Sequence, residues 1–360
     1  MNLKLLFLKL YKNLLKYFFI AVYGRIYNLN KNLKKIHIDK VDFIDNINVK
    51  KFQYKIFTID NGRVFTNLVE NVSVIFKNYL IKDASFQQIK GKLSNNKNAV
   101  IKDGTPKILR KINGTTIVLS QGASGHFNYA HWLFDILPKL KIFSEIYNLN
   151  KIDNFYFSEL KSFQKETLKI LNIDYNKFID SNNYRHIKSN KLIAVSHPNY
   201  FNGTMFNAHS NMPDWIIFYL RKIFLKKKMK KYEYKKIFID RSDSSQKHCK
   251  LINNQEVISF LESKKFKVLK LSEINFKDQI AIFFHSKVII APHGAGLANL
   301  TFCKKKTKVI EISPKNHGNQ MYERISKINK LNHKFFFVEL IKENKKGDMF
   351  IDINKFKKII

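Results

Sequence analysis

A chain of 360 residues with 45% hydrophobic and 14% aromatic residues can bury a substantial core, which excludes an intrinsically disordered protein and makes two domains the natural expectation. Only two cysteines, Cys249 and Cys303, are present. That excludes a disulfide framework or a cysteine-rich metal cluster and suits a reducing compartment. The formal charge of +37 leaves three readings: binding to nucleic acid, attraction to an anionic membrane and phosphorylated substrates, or the background of a chain rich in Lys, Asn, Ile and Phe. No RNP, zinc-finger or basic-zipper pattern supports the first.

The chain opens with "MNLKLLFLKLYKNLLKYFFIAVYG". Lys9, Lys12 and Lys16 interrupt the apolar run and no small-residue cleavage site follows, so this is not a signal peptide. It also falls short of the ~20 uninterrupted apolar residues that a bilayer crossing needs. At helical pitch, Asn2, Lys9, Lys12, Asn13 and Lys16 share one arc. Leu3, Phe7, Leu10, Leu14, Phe18 and Ala21 share the opposite one, and Leu5 and Ile20 break the pattern. Residues 1–35 therefore read as a basic amphipathic segment lying in a membrane interface, with docking on the protein's own core as the alternative.

Residues 36–225 form the expected first domain. Short β-like runs ("FQYKIFTID", "SVIFKNYLI", "TTIVLSQG") occupy its first part, separated by polar turns. A helical pattern then runs from Asn128 to about Tyr147, with Pro138 expected to kink or break it. "NFYFS" and "KLIAVS" read as strands around a helix at 161–172, and Asp214–Leu225 reads as a further helix. Within "GHFNYAHWLFDILPKL", His131 and Asp135 stand four apart and share a helix face. Such a pair can remove a proton, with Asp135 orienting the imidazole or itself acting as base. Two glycines, Gly122 and Gly125, precede it, and His126 and Asn128 lie on its acceptor-side entry. Trp132 and Leu133 read as core.

The charge run Lys226–Lys236 has no apolar rhythm and marks the expected boundary. From 226 to 360 strands and helices alternate: "KIFID", "NNQEVISFLESKK", "FKVLKL", "FKDQIAIFFHS", "KVIIAP", "GLANLTFC", "KVIEIS". That alternation means a parallel, doubly wound sheet. Asn253 or Asn254 is a candidate helix cap, and the tail is expected to add a strand and a short helix.

Ligands of such sheets bind beyond the carboxyl ends of the strands. "PHGAGL" sits at one of those ends and opens a helix, whose N–H groups favour anions. Glycines there let the backbone approach a phosphate and permit positive φ. Gly294, Ala295 and Gly296 therefore form a candidate diphosphate cradle. His293 can donate to a phosphate oxygen, and Asn299 can bond a neighbouring loop or the ligand. Arg241 and Lys250 flank the loop after the first strand of this half. Glu311, near a strand end, suits either ribose hydroxyls or bracing of the turn. Asn-x-Ser/Thr sequons occur at Asn71, Asn113, Asn202 and Asn299, as expected by chance in so Asn-rich a chain.

Five blocks together resemble the family 61 glycosyltransferases, which include bacterial capsule and lipopolysaccharide enzymes. They are "NYAHWLFDILPKL" (Asn128–Leu140), "IDRSD" (Ile239–Asp243), "KLINNQEVISFL" (Lys250–Leu261), "IIAPHGAGLANLTFC" (Ile289–Cys303) and "VIEISP" (Val309–Pro314). The resemblance covers roughly residues 110–320; the first ~100 residues carry none. One departure is Lys250, where that family usually has Arg, so a bidentate fork is missing. The resemblance implies an α/β, GT-B-like fold of two Rossmann-like domains facing across a cleft. It implies a nucleotide-sugar donor in the C-terminal half, a glycan or lipid-linked acceptor in the N-terminal half, and inversion at the anomeric carbon. No metal or other cofactor is expected, because the chain has no Asp-x-Asp triplet and abundant cations. The implied setting is capsule or lipopolysaccharide synthesis by a cytoplasmic protein peripherally bound to the inner face of the plasma membrane, with no nucleic-acid partner. The rival reading is a non-catalytic binder of nucleic acid or anionic membrane.

Overall fold

The structure is a computed structural model that describes residues 3–360 except 29–35, 48, 68–70, 90–91, 121–127, 201–209, 245–248, 316–319 and 340–346. It is a mixed α/β protein that divides into two compact units, Met1–Ala208 and His209–Ile360. The helix Asp214–Phe224, ahead of the expected boundary in the sequence, belongs to the second unit. It is fixed there by Arg221, whose guanidinium donates to the carbonyls of Thr301 (2.6 Å) and Cys303 (2.8 Å).

The first unit is organised on a twelve-stranded sheet with both parallel and antiparallel pairs. Its parallel part runs His186–Val195, Arg110–Val118, Asn154–Phe157, Phe178–Asp180. Lys50–Asp60 and Arg63–Asn67 join antiparallel on the His186–Val195 side, and the other early strands extend the sheet antiparallel except Tyr27–Asn28, which pairs parallel with Tyr79–Leu80. The β-like runs of the sequence fall in these strands. Their alternate apolar residues meet in a core that includes Phe57, Ile59, Val64, Val74, Tyr156 and Leu192. Full burial of each such side chain contributes about 1.5–3 kcal/mol.

The N-terminal helix, Leu3–Tyr23, belongs to this unit. It meets the body through Lys16, Ile20 and Tyr23, not through its apolar arc. Lys16 pairs with Asp103 at 3.0 Å, and the Tyr23 hydroxyl accepts from the Leu109 N–H. Ile20 packs against Gly104, whose φ of +62° and close approach to Ile20 together leave no room for a side chain. Phe7, Leu10, Leu14 and Phe18 of the apolar arc are 54–70% exposed, so the expected alternative of docking that face on the protein's own core does not occur. No helix among the described residues is long and apolar enough to cross a membrane.

The second unit is a five-stranded, fully parallel sheet: β1 Lys236–Asp240, β2 Lys267–Lys270, β3 Val288–Pro292, β4 Lys308–Pro314 and β5 Asn332–Val338. The strand order is β2-β1-β3-β4-β5. Chain direction across the sheet therefore reverses between β1 and β3, and a doubly wound sheet opens its ligand crevice at that point. Strands β3 and β4 are buried along almost their whole length, which is why β3 is an unbroken apolar run and why the one carboxylate of β4, Glu311, has to find partners. Helices Asn254–Ser263 and Phe276–His285 match the sequence reading. Asn253 does not cap the first of them; its side chain donates to Glu256 and to Ile351 O and accepts from Ile351 N–H, tying down the tail. Among its described residues the tail makes a single bridge, Leu251 to Met349, and then the short helix Ile353–Lys357.

The segment after the glycine turn is a 3-10 helix, Ala295–Phe302. Its terminal carbonyls are satisfied by Arg221 and by Asn329, whose amide donates to Leu300 O and Thr301 O. Arg221→Leu strips charge-assisted bonds from buried carbonyls, so it is expected to lower stability by about 2 kcal/mol. A lower denaturant midpoint at unchanged slope will register that loss.

Candidate functional site

Candidate residues gather in two clusters, one in each unit. In the first, Asn128 is the N-cap of the helix that begins at Tyr129, its side chain accepting the His131 N–H at 3.2 Å. Three residues later the helix widens into a π-turn, Trp132–Ile136. Pro138 supplies the reason. It has no N–H to give the Phe134 carbonyl one turn back, so that acceptor would be orphaned. Asn199 takes its place: its Nδ2 donates to Phe134 O at 2.6 Å and to Asp135 Oδ1 at 3.0 Å. The helix continues through Ser144 instead of breaking.

Asp135 is thereby fully buried with one oxygen held by Asn199 and the other 2.6 Å from His131 Nδ1. The side chain of His131 is 12% exposed against 1% for Asp135. Solvent and substrate can therefore meet the imidazole but not the carboxylate. A buried carboxylate on Nδ1 fixes the ring with its proton on Nδ1, so that Nε2 is the nitrogen able to accept one, an arrangement suited to general-base chemistry. Trp132 is core, its indole donating to Thr167 at 2.9 Å. One turn beyond Asp135, Lys139 is buried and donates to the carbonyls of Leu119 (3.2 Å) and Ser120 (3.4 Å). Burial lowers its pKa to about 7, with Asp135 pulling the other way. His126 and the entry glycines Gly122 and Gly125 lie outside the described residues.

The second cluster stands where β1 and β3 diverge. His293 follows β3 and is held at three points. Its N–H donates to Ile312 O on β4 (2.8 Å), its carbonyl accepts from Arg241 at the end of β1, and its Nδ1 lies 2.5 Å from Glu311 Oε1. Glu311 is fully buried. His333 on β5 stands 3.1 Å from its other oxygen, at ion-pair distance but poorly aligned for a hydrogen bond. Burial, the largest influence, pushes the Glu311 carboxyl up, but the pull of the neighbouring His293 and His333 imidazoles outweighs it and leaves it below its usual value. Both of its oxygens face imidazoles, so Glu311 acts through His293. The carboxylate thus braces the turn through the His293 side chain and not through backbone N–H groups. Tyr322 packs against the His293 ring at 5.1 Å.

The guanidinium of Arg241 lies directly over Gly294. A Cβ at that position would overlap its end atoms. Gly294 has an extended φ of 163° and Gly296 is not among the positive-φ glycines, so close approach, and not the positive φ expected from sequence, is what the turn demands. Among the described residues, the hydrogen-bond partners of Arg241 are His293 O and the Ser244 hydroxyl, both neutral, and no carboxylate pairs with it. Cys249 stands beside it, and burial pushes that thiol up against the opposing pull of the guanidinium. Asp240 anchors the loop by accepting from Ser242 and Asn254. The first N–H groups of the helix at Ala295 and Gly296 have no intrahelical acceptors, as at any helix start.

Two expected ligands are not part of this cluster. Asn299 is fully buried and donates to Gln279 at 2.9 Å, so it joins two helices. Lys250 is exposed, and its one described hydrogen bond is the backbone bond from Met349. Among the described residues, no group of acidic, histidine and cysteine side chains has the geometry to hold a metal ion.

The family model for glycosyltransferase 61 matches residues 129–310, just over half of the chain. The chain belongs to the glycosyltransferase 61 family. The matched region takes in His131, Asp135, Arg241, Lys250 and the turn at 293–296, and stops one residue short of Glu311. No curated protein matches the chain. As a family 61 member it is a glycosyltransferase, an enzyme that moves a sugar from a donor to an acceptor.

Sequence reading passed over Asn199, Lys139, His333 and Tyr322. A lone carboxylate inside the apolar strand "VIEIS" was the available signal for His333, because a buried carboxylate needs a partner. Lys139 yields a pH test. Its ordinary value is 10.5 and its folded value about 7, so between these values the unfolded chain binds the extra proton. Wild type should gain stability relative to Lys139→Met as pH rises from about 7 to about 10.5, with no such gain below 7. Paired denaturant titrations across that range measure the difference.

Proposed function

We propose that this glycosyltransferase is an inverting, metal-independent enzyme that transfers a sugar from a nucleotide-sugar donor to a hydroxyl of a glycan or lipid-linked acceptor in capsule or lipopolysaccharide synthesis. The observation that carries this reading is a device present in each unit: an imidazole held at Nδ1 by a fully buried carboxylate, His131 by Asp135 and His293 by Glu311. The second stands beside Arg241, with which no described carboxylate pairs, at the sheet's reversal point. That combination suits the two oxyanions of a diphosphate.

In the proposed step His131 Nε2 takes the acceptor's hydroxyl proton. The acceptor oxygen forms a bond to the anomeric carbon from the face opposite the leaving group, and the bond from that carbon to the diphosphate oxygen breaks. The nucleoside diphosphate leaves with the electron pair. Its charge is met by Arg241, by His293 and by the N–H groups at Gly294, Ala295 and Gly296. Asp135 orients His131 and stabilises the imidazolium. Arg241 and its neighbours do the work a metal does elsewhere. We further place the enzyme at an anionic membrane surface, the inner face of the plasma membrane, held by its N-terminal helix.

His131→Ala and Asp135→Asn are each expected to lower kcat at least ~10³-fold, while nucleoside diphosphate affinity stays within about twofold by calorimetry. Collapse of that affinity in both variants would assign the donor to the wrong unit. Turnover should survive EDTA; strict dependence on Mn²⁺ would overturn the metal-independent step.

A further inference from the structure

A cavity of about 450 Å³ opens in the first unit at the root of the N-terminal helix. Val22 and Tyr23 of the helix's last turn form one side, and Arg63, Lys77, Lys188 and Asp60 supply its charge. Three cations against one carboxylate leave the cavity basic. Arg63 is the telling member. It is only 7% exposed, and Nη2 makes both of its described hydrogen bonds, to Lys77 O (2.5 Å) and Asn78 Oδ1 (2.8 Å). No carboxylate pairs with it among the described residues, and burial lowers its pKa. A desolvated guanidinium with only neutral partners is costly to keep, and an anionic ligand offsets that cost.

The position of the cavity identifies the source of the anion. The helix beside it turns Phe7, Leu10, Leu14 and Phe18 outward, 54–70% exposed, while Lys16, Ile20 and Tyr23 hold it to the body. Residues 1–38 contain eight Lys or Arg and no Asp or Glu. An outward apolar arc on a segment with uniformly positive charge matches an anionic bilayer, with the arc among the acyl chains and the cations at headgroup level. A cavity at the helix root would then open at headgroup depth. We propose that it binds the phosphate of an anionic membrane lipid, with Arg63, Lys77 and Lys188 as its ligands. This inference rests on the membrane placement proposed above and adds a specific headgroup site to it. It is separate from the sugar-transfer residues.

The test is co-sedimentation of the full chain with vesicles of phosphatidylcholine alone or mixed with phosphatidylglycerol. Lys77→Gln combined with Lys188→Gln is expected to reduce the preference for phosphatidylglycerol about tenfold, with binding to pure phosphatidylcholine unchanged. Lys264→Gln combined with Lys267→Gln removes the same charge from exposed positions of the second unit and should leave the preference intact. Equal losses in the two pairs would reduce the effect to diffuse charge and overturn the site. Leu14→Asp with Phe18→Asp should abolish binding to both vesicle types; retained binding would overturn the membrane placement itself. Inorganic phosphate provides the remaining arm. If it protects wild type from thermal unfolding, and not the Lys77/Lys188 variant, while that variant keeps its vesicle preference, the cavity takes soluble phosphate and the lipid assignment fails.

Discussion

The guanidinium of Arg241, seated on the bare Cα of Gly294 and bonded to the His293 carbonyl, is the contact on which the second unit's site depends. It joins the ends of β1 and β3 where the parallel sheet reverses direction. Without that contact the two strand ends would diverge with nothing between them. With it, a fixed positive charge, an oriented imidazole and the start of a helix share one short turn. Glu311 completes the constraint from β4, and His333 on β5 offsets the cost of burying that carboxylate. Four of the five strands thus contribute to the position of a single histidine.

The first unit reaches a similar arrangement by another route. There the carboxylate lies on the same helix as its histidine, and the helix itself is altered to present it. Pro138 removes a backbone donor, the turn widens, and Asn199 arrives from beyond the strand His186–Val195 to satisfy both the stranded carbonyl and Asp135. Buried acids bonded to imidazoles recur because a carboxylate that cannot reach water must find a donor.

Much of this was legible in the sequence, for physical reasons. Strands such as Val288–Pro292 announce themselves as unbroken apolar runs because they are buried on both faces, and the spacing of His131 and Asp135 predicts their contact because four residues make about one helical turn. What stayed hidden depends on contacts across long separations. Nothing local in "SHPNYF" ties Asn199 to a proline 61 positions earlier. Gly294 was expected to admit a phosphate or to supply an unusual backbone angle, whereas in the structure its bare Cα makes room for a neighbour's side chain. Asn299 and Glu311 have the composition of ligands but the burial of supports. The N-terminal helix was read correctly as a helix, while the face it shows outward is set by Asp103, Gly104 and Leu109, which a helical wheel does not contain.

The most direct measurement is calorimetric titration of nucleoside diphosphate into Gly294→Ala. The three atoms nearest the added methyl all belong to the guanidinium of one flexible side chain, so the fold should persist while Arg241 is pushed off the His293 carbonyl. Affinity is predicted to fall by about tenfold or more, the scale of one charge-assisted contact. Full affinity in a folded Gly294→Ala protein would contradict the account, because the seat of Arg241 on that glycine would then have no part in holding the donor.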